Sequence, residues 1–231
     1  MGKFVPPVYE TLAMAPGLKA LGVDEAGRGP VLGPLVMAGV LANSQQIEAL
    51  ESVGVADSKK LSKKRRGELA IEVRRIIPEY SIRVLEAATV DQYRERGHLD
   101  HLEVETTVSM VKELAPDWLV VDALGAGGST HHRRLTQGIG QPDLHILAEN
   151  GADAKYAVVS AASLLAKTVR DEMMLKIGET FGEVGSGYPS DSKTVRFLED
   201  WRDSGRPLPG FVRKSWATVE RIWGPKQRRL L

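Results

Sequence analysis

The sequence contains no cysteine, so it can form no disulfide, no thiolate metal site and no cysteine nucleophile. Long apolar runs are also missing. No stretch approaches the ~18 to 20 residues of a transmembrane helix, and residues 1–10 have neither the basic nor the apolar region of a secretory signal. We therefore expect a cytoplasmic protein that makes no membrane contact. Hydrophobic residues make up 42% of the 231 residues and charged residues 26%, which is typical of one large globular domain with or without a small appendage.

The charges nearly cancel, with a formal net charge of +1, but they are unevenly distributed. Lysine and arginine dominate residues 57–66, and residues 205–231 contain seven basic residues against one acid, Glu220. Such a local excess favours a polyanionic partner. The alternative for each segment is a solvated helix face or a solvated tail.

The stretch 22–30 combines two acids with a glycine-rich turn. Asp24 and Glu25 end an apolar run, and Gly-Arg-Gly-Pro follows at residues 27–30. Because these glycines and the proline are poorly suited to a regular strand, the sequence indicates a strand that stops at its two carboxylates. A surface turn with two solvated acids is the alternative.

Apolar runs and hydrophobic periodicity predict the secondary structure. Strands are expected at residues 20–25, 31–41, 80–87, 118–122 and 144–148, and helices at 45–53, 61–77, 99–114, 154–181, 193–202 and 214–222. Ser62 would cap the second of these helices, Thr89 or Asp91 would cap a further short one, and residues 125–128 would form a turn. The pattern predicts an α/β fold with a central mixed β-sheet flanked by helices. The expected divisions are an N-terminal arm at 1–17, a main domain at 18–184 and a C-terminal helical appendage at 185–231.

Three acids lie at the ends of predicted strands. Asp24 and Asp122 each close a buried strand, and open α/β sheets place their ligand sites at the carboxyl ends of strands. Glu25 would point away from Asp24 on a regular strand, so both reach one site only if the backbone leaves the pleat. Gly27 and Gly29 permit that departure.

A fourth acid could be Asp153 or Asp171. In a continuous helix the two lie ~27 Å apart, so only one of them can join the other acids. Asp153 could instead be the N-cap of that helix, and Asp171 could pair with the neighbouring Arg170. A carboxylate cluster without cysteine or spaced histidines favours the hard cations Mg²⁺ or Mn²⁺. Two such ions ~3.5 to 4 Å apart are a common arrangement for phosphodiester cleavage.

Six motifs follow one another in an order that resembles the type 2 ribonuclease H family, which includes ribonuclease HII and the catalytic subunit of its eukaryotic counterpart. They are GVDEAGRGPVLGP at 22–34, ADSKKLS at 56–62, VVDA at 120–123, ADAKYAVVSAASLLAKTVRDE at 152–172, GSGYPSD at 185–191 and FVRKSWATV at 211–219. The resemblance covers residues 21–222, and ADAKY and GSGYPSD are more similar to the archaeal and eukaryotic branch.

The resemblance implies a ribonuclease H-like fold and a metal-dependent endoribonuclease. Its substrates would be RNA/DNA hybrids and duplex DNA with a single embedded ribonucleotide, cut 5′ of the ribonucleotide to leave a 3′-hydroxyl and a 5′-phosphate. It selects Asp153 over Asp171, and two Mg²⁺ or Mn²⁺ ions would be held by Asp24, Glu25, Asp122 and Asp153. The alternatives are a non-catalytic hybrid-binding protein and a DNA-directed nuclease on the same fold.

The resemblance also assigns substrate contacts. The ribose would be read by a tripeptide, Gly27, Arg28 and Gly29. Tyr188 would contact the sugar at the RNA-to-DNA junction, although a turn tyrosine that packs on a helix is the alternative. Phosphates would be held by Lys59, Ser160 and Ser163. The C-terminal appendage would take part in substrate binding.

Some positions depart from the family pattern. His98-Leu99-Asp100 stands where Asn-Leu-Asn is usual, which removes the expected basis for a DNA-strand contact there. Gly151 replaces a usual lysine and so removes a positive charge beside the site, and Ala157 replaces a usual proline. Residues 227–231 begin like a sliding-clamp-binding peptide but lack its paired aromatics. We therefore expect a monomer with a solvated tail, and binding of that tail to a sliding clamp is the alternative.

Overall fold

The structure, a computed structural model, describes residues 17–56, 62–123 and 128–227. Its centre is a mixed five-stranded sheet. The strands are β1 (Ala20–Ala26), β2 (Leu35–Ala42), β3 (Tyr80–Leu85), β4 (Trp118–Asp122) and β5 (His145–Glu149). Their order across the sheet is β3-β2-β1-β4-β5, and β4 pairs in parallel with both β1 and β5. The five predicted strands are confirmed, with two larger changes of bounds: β2 begins four residues later than predicted, and β3 ends two residues earlier, at Leu85.

β2 begins at Leu35 and not at Val31. Gly33 has a φ of 85°, which interrupts an extended strand, and Leu32 forms an isolated antiparallel bridge with Val212. The apolar run from Val31 therefore reflects burial of a bent segment that packs on several neighbours, because continuous hydrophobicity marks burial and not conformation.

Nine helices occur within the described residues: α1 (Ser44–Ser52), α2 (Lys63–Ile76), α3 (Ala87–Glu95), α4 (Leu99–Leu114), α5 (Gly128–Ile139), α6 (Ala152–Lys155), α7 (Ala157–Phe181), α8 (Ser192–Asp203) and α9 (Ala217–Gln227). The bounds predicted for α4 match those observed, and Ser62 caps α2 as predicted by accepting from the Arg65 N–H. α5 was not among the predicted helices. Of the predicted turn at 125–128, only Gly128 is described, and it begins α5.

Three predictions of helix bounds are wrong. α3 begins at Ala87 after Glu86, so Thr89 and Asp91 lie inside the helix and neither caps it. The helix predicted from Ala154 to Phe181 is broken at Tyr156, which has extended angles (φ −119°, ψ 116°). α9 begins at Ala217, three residues later than predicted, and Gly224 interrupts it with a φ of 72°.

The break at Tyr156 has a visible cause. The Tyr156 hydroxyl donates to a Glu149 carboxylate oxygen at 2.7 Å, and the Tyr156 side chain is buried. This contact directs Tyr156 toward β5 and separates the single turn of α6 from α7. Gly151, with a φ of 70°, is the N-cap of α6. Asp153 therefore lies inside α6 and is not its cap.

The chain divides into two compact units. Of the described residues, the first contains 17–25, 37–56, 62–83, 103–123 and 128–168, and the second contains 26–36, 84–102 and 169–227. The division falls between Glu25 and Ala26, so the adjacent acids and the Gly-Arg-Gly tripeptide are assigned to different units. The domain boundaries at residues 17 and 184 stay a prediction.

In the first unit a close approach fixes β1 against α7. A Cβ added to Gly22 would lie 2.4 Å from the Val158 carbonyl carbon and 2.5 Å from the Val159 backbone nitrogen. Real Cβ atoms do not come this close to backbone, so only glycine permits this packing. The contact places the strand that carries Asp24 directly on the start of α7.

The second unit combines a core rich in tryptophan with buried charged side chains. Trp201, Trp216 and Trp223 are buried in a single hydrophobic cluster with Phe197. Arg213 is fully buried, with 0% of its surface exposed. No helix among the described residues combines the length and the apolar character that crossing a membrane requires.

Candidate active site

Two acids leave the sheet at the carboxyl ends of adjacent parallel strands. The register pairs Val23 of β1 with Val121 of β4, and Asp24 and Asp122 are the residues that follow. Side chains at the same end of neighbouring parallel strands share one edge of the sheet, which is where open α/β sheets bind ligands. β4 ends at Asp122 as predicted, whereas β1 continues for two residues beyond Asp24, to Ala26.

Asp24 is buried, with only 8% of its surface exposed. Burial raises the pKa of its carboxyl, and the nearby charge of Asp153 raises that pKa further. Hydrogen bonds from the Ser163 hydroxyl and the Glu25 backbone, together with the charge of Lys167, act in the opposite direction. Burial is the largest of these effects, so an uncompensated charge on Asp24 is costly.

Ser163 and Lys167 form a short relay to Asp24. They lie four residues apart on α7, hence on one helix face, and Lys167 Nζ donates to Ser163 Oγ at 2.7 Å. Ser163 in turn binds the Asp24 carboxylate. Lys167 was not singled out in the sequence, although its spacing from Ser163 was a usable signal.

Asp122 and Asp153 are connected through the backbone of Gly151. The Gly151 N–H donates to Asp122 Oδ1 at 2.8 Å, and Gly151 is the N-cap of the turn that carries Asp153. Asp153 is itself buried, with 8% exposed. The hydrogen bond from Gly151 thus connects Asp122 at the end of β4 to α6, the short helix that carries Asp153.

These acids suit a hard divalent cation by their chemistry. Asp24 and Asp153 are buried carboxylates whose charges interact, and a cation between like-charged oxygens would offset the cost of burying them. Glu25 is half-buried. Across residues 17–56, 62–123 and 128–227, no three acidic or histidine side chains stand close enough together to form a preassembled metal site. The four-carboxylate site therefore stays a prediction.

Glu149 is an acid near this site that was not among the residues predicted from the sequence. It pairs with Asp122 in the register of β5 on β4. One of its oxygens accepts from Lys155 Nζ and the other from the Tyr156 hydroxyl. These bonds lower the pKa of Glu149, while burial and the Glu149 charge raise the pKa of Tyr156. Glu149 and its partners fasten the α6 turn to β5.

The phosphate contacts expected at three residues stay a prediction. Ser160 is buried, and its hydroxyl donates to the carbonyl oxygens of Asp153 and Tyr156, which connects α6 to the first turn of α7. Ser163 is equally buried in its relay to Asp24. Lys59 lies outside the described residues.

In the second unit the Gly-Arg-Gly tripeptide has a tightly specified conformation. Gly27 has a φ of 92°, and a Cβ there would lie 2.4 Å from Arg170 Nε and 2.7 Å from the Pro34 carbonyl oxygen. Arg28 forms an ion pair with Asp100 at 2.7 Å. Asp100 is one of the departures from the family pattern, and in this structure it holds Arg28.

Tyr188 stands beside this tripeptide with 43% of its surface exposed. Its ring atom Cε1 would lie 3.7 Å from a Cβ added to Gly29. The Arg170 guanidinium lies 5.7 Å from the centre of the Tyr188 ring, within the range of a cation–π contact. The exposed part of the Tyr188 ring can contact a further partner.

The carbonyl oxygens of all three tripeptide residues accept hydrogen bonds from two distant side chains. Arg213 donates to the carbonyl oxygens of Gly27 at 2.5 Å and Arg28 at 3.0 Å, and Trp216 Nε1 donates to that of Gly29 at 2.9 Å. Burial lowers the pKa of Arg213 to about 10. Sequence motifs did not indicate these contacts, because each joins residues more than 180 positions apart.

Comparison with known proteins identifies the family. The sequence model of the family described as Ribonuclease HII matches residues 21–219. Ribonuclease HII of Methanothermobacter thermautotrophicus is 40% identical over 208 residues, which cover 88% of this chain and 98% of that protein. Ribonuclease HII of Pyrococcus furiosus is 40% identical over 211 residues, covering 89% of this chain and 91% of the relative.

Solved structures agree with the sequence matches. Ribonuclease H2 from Pyrococcus horikoshii OT3 superposes with a TM-score of 0.83 at 36% identity, over 92% of this chain and 99% of that one. The ribonuclease HII in a complex with PCNA from Archaeoglobus fulgidus gives a TM-score of 0.79 at 37% identity, over 86% and 95% of the two chains. Bst-RNase HIII in complex with Mn²⁺ shares the fold, with a TM-score of 0.74 at 21% identity over 99% of this chain and 77% of that one. The ribonuclease H-like fold predicted from the sequence is confirmed, and the chain belongs to the ribonuclease HII family of metal-dependent endoribonucleases.

Proposed function

We propose that the chain hydrolyses the RNA strand of RNA/DNA hybrids and cuts 5′ of single ribonucleotides embedded in duplex DNA, leaving a 3′-hydroxyl and a 5′-phosphate. The observation that carries the proposal is the pair of buried, interacting carboxylates, Asp24 and Asp153, beside the strand end that also bears Asp122. Membership of the ribonuclease HII family supports the hybrid substrate.

Mg²⁺ or Mn²⁺ would be held by four acids, Asp24, Glu25, Asp122 and Asp153. Two such ions, when bound, supply an activated water and neutralise charge on the phosphate. An all-oxygen donor set fits these ions, and a protein of the same fold, Bst-RNase HIII, was crystallised with Mn²⁺.

The chain's own groups would orient these ligands. The Ser163 hydroxyl, held by Lys167, directs one hydrogen bond to Asp24, and the Gly151 N–H directs another to Asp122. A carboxylate with one oxygen fixed in this way has fewer rotamers to lose when it binds a cation. Lys167 also places a positive charge near Asp24, which lowers the cost of the buried carboxylate before a cation arrives.

Substrate recognition would depend on the 2′-hydroxyl, the group that distinguishes RNA from DNA. The groups proposed to read it belong to the tripeptide Gly27, Arg28 and Gly29. Tyr188 would contact the neighbouring deoxyribose, which its exposed ring supports. Phosphates would be held by Lys59 and, once their hydroxyl groups turn from the Asp153 carbonyl and the Asp24 carboxylate to the substrate, by Ser160 and Ser163. The basic segments 57–66 and 205–231 would add attraction to the backbone.

A sliding clamp is a second candidate partner, since the Archaeoglobus fulgidus relative was solved in a complex with PCNA. Residues 228–231 lie outside the described part of the chain. Gel filtration of the chain with and without a sliding clamp would show whether a complex forms. The chain alone is expected to elute as a monomer, and the cysteine-free composition suits the intracellular location proposed for it.

Cleavage assays on three matched substrates test the proposed function. A long hybrid, a duplex with one ribonucleotide and the all-DNA duplex are incubated with Mg²⁺, Mn²⁺ or chelator. We expect the first two to be cut only with a cation. Asp24→Asn and Asp122→Asn should abolish cutting, while Asp171→Asn, an acid outside the site, should retain it. Cleavage of all-DNA alone would identify a DNA-directed nuclease, and tight hybrid binding without cleavage would identify a binding protein.

A further inference from the structure

Arg213 and Trp216 bind the Gly-Arg-Gly tripeptide through hydrogen bonds to its carbonyl groups. Arg213 Nη2 and Nη1 donate to the carbonyl oxygens of Gly27 and Arg28, and Arg213 Nε donates to that of Gly33 at 2.9 Å. Trp216 Nε1 donates to the carbonyl oxygen of Gly29 at 2.9 Å. Three consecutive peptide groups are thus anchored by two side chains of the same C-terminal motif.

Burying a charged guanidinium costs more desolvation free energy than burying a neutral donor that could make the same hydrogen bonds. Arg213 is 0% exposed, and its hydrogen bonds given above all go to neutral carbonyl oxygens. What a guanidinium offers over other donors is a rigid, planar fork with several N–H groups at fixed angles. This fork can fix the relative orientation of peptide groups, which one flexible donor cannot.

The anchored carbonyl groups determine where the amide groups point. The described chain has no cis peptide bond, and in a planar trans peptide the C=O and the following N–H point in opposite directions. The Gly27 and Arg28 carbonyls point at Arg213, so the N–H groups of Arg28 and Gly29 point to the opposite side. The peptide after Gly29 leads into Pro30, which has no N–H.

The turn that carries Arg213 and Trp216 is itself fixed. The buried carboxylate of Asp91 accepts from the backbone N–H groups of Lys214 at 2.7 Å and Ser215 at 3.0 Å, and from the Ser215 hydroxyl at 2.5 Å. These two residues lie between Arg213 and Trp216. Asp91, mistaken for a helix cap in the sequence, therefore holds the support of the tripeptide.

We propose that Arg213 and Trp216 are specificity-determining positioning residues. Arg213 fixes the two peptide planes that carry the Arg28 and Gly29 N–H groups, Trp216 fixes the Gly29–Pro30 peptide at the end of the tripeptide, and together they keep the two N–H groups directed at the 2′-hydroxyl oxygen of the ribonucleotide. This inference rests on the proposed function of the tripeptide. The two side chains act through the backbone and do not touch the substrate.

The test measures recognition of ribose separately from catalysis. In an Asp24→Asn background, the dissociation constants for a duplex with one ribonucleotide and for the identical all-DNA duplex are compared at one salt concentration. Trp216→Phe keeps a buried aromatic ring but removes one N–H, so the preference for the ribonucleotide duplex should fall about fivefold. Arg213→Lys keeps a positive charge without the fork and should lower the preference about tenfold.

Trp201→Phe is the matched control. Trp201 is also buried, its Nε1 donates to the Pro207 carbonyl oxygen at 2.9 Å, and the Arg206 guanidinium lies over its ring as that of Arg94 lies over Trp216. Trp201→Phe therefore removes an equivalent indole N–H hydrogen bond, but one that does not involve the tripeptide. Its ribonucleotide preference should equal that of the background protein.

The outcomes separate this inference from the proposed function. If the background protein binds both duplexes equally, reading of the ribose fails and the inference fails with it. If it prefers the ribonucleotide duplex and Trp216→Phe keeps that preference, or Trp201→Phe loses as much, the positioning role is refuted while the proposed function stands. Melting temperatures of all variants show that each is folded, and Trp216→Phe decides the outcome if Arg213→Lys does not fold.

Discussion

Replacing Gly27 by alanine tests whether the turn after β1 requires a residue without a side chain. Gly27 has a φ of 92°, and a Cβ there would lie 2.4 Å from Arg170 Nε and 2.7 Å from the Pro34 carbonyl oxygen. The conformation costs about 1–2 kcal/mol and the overpacking about 1–3 kcal/mol. Alanine lowers the entropy of the unfolded chain, which returns about 0.4–1 kcal/mol. The free energy of unfolding should fall by about 3 kcal/mol.

Gly29→Ala is the control within the same tripeptide. The nearest atom to its Cβ would be Tyr188 Cε1 at 3.7 Å, an ordinary contact, and Gly29 has no positive φ. Its stability should change by no more than about 0.5 kcal/mol. In thermal denaturation followed by circular dichroism, Gly27→Ala should melt about 6–12 °C lower than the parent, and Gly29→Ala close to it.

The two variants should also separate stability from recognition. Gly29→Ala should remain folded. It should nevertheless cleave a single-ribonucleotide duplex less efficiently than the parent, because the new methyl group lies on the backbone proposed to approach the ribose. Equal melting temperatures for the two alanine variants would refute the structural reasoning. Full cleavage by Gly29→Ala would refute the need for close approach at that residue.

Three further predictions concern other parts of the molecule. In chelator, Asp24→Asn should melt at or above the parent, because burial disfavours the charged Asp24 carboxylate; a clearly lower melting temperature would contradict this. Asp91→Ala should cost about 2–4 kcal/mol in denaturant unfolding, since it leaves the Lys214 and Ser215 N–H groups without their acceptor; a loss below about 0.5 kcal/mol would be inconsistent with that role. The pKa of Glu149 is lowered by folding, so its contribution to stability is present above the ordinary glutamate pKa and declines as the pH falls through and below it. The difference in melting temperature between the parent and Glu149→Gln should therefore shrink from pH 7 to about pH 3, and a constant difference would oppose the assignment.

Local patterns predicted the elements whose conformation is decided locally. The buried strands β1 and β4 follow from short apolar runs, and the helix Leu99–Leu114 follows from apolar residues at helical spacing. The acids at the strand ends were predicted in the same way. Asp24 and Asp122 could be found because the ends of parallel strands meet at one edge of a sheet.

Contacts between distant residues explain what the sequence did not predict. The break at Tyr156 depends on a hydrogen bond to Glu149 on β5, which no periodicity within α7 reports. Asp91 has the composition of a helix cap, yet its partners lie 123 and 124 residues away. The bonds from Arg213 to the tripeptide span 185 and 186 residues. A single sequence contains no local signal for such pairs.

The most direct test of the account is to map the products from a duplex that carries one ribonucleotide in an all-DNA strand. With Mg²⁺, the parent protein should make one nick, 5′ of the ribonucleotide, with a 3′-hydroxyl that a DNA polymerase extends and a 5′-phosphate on the ribonucleotide. Chelator or Asp24→Asn should abolish the nick. A nick on the 3′ side, a 2′,3′-cyclic phosphate end, or equal cutting of the all-DNA duplex would contradict cation-dependent hydrolysis guided by the 2′-hydroxyl.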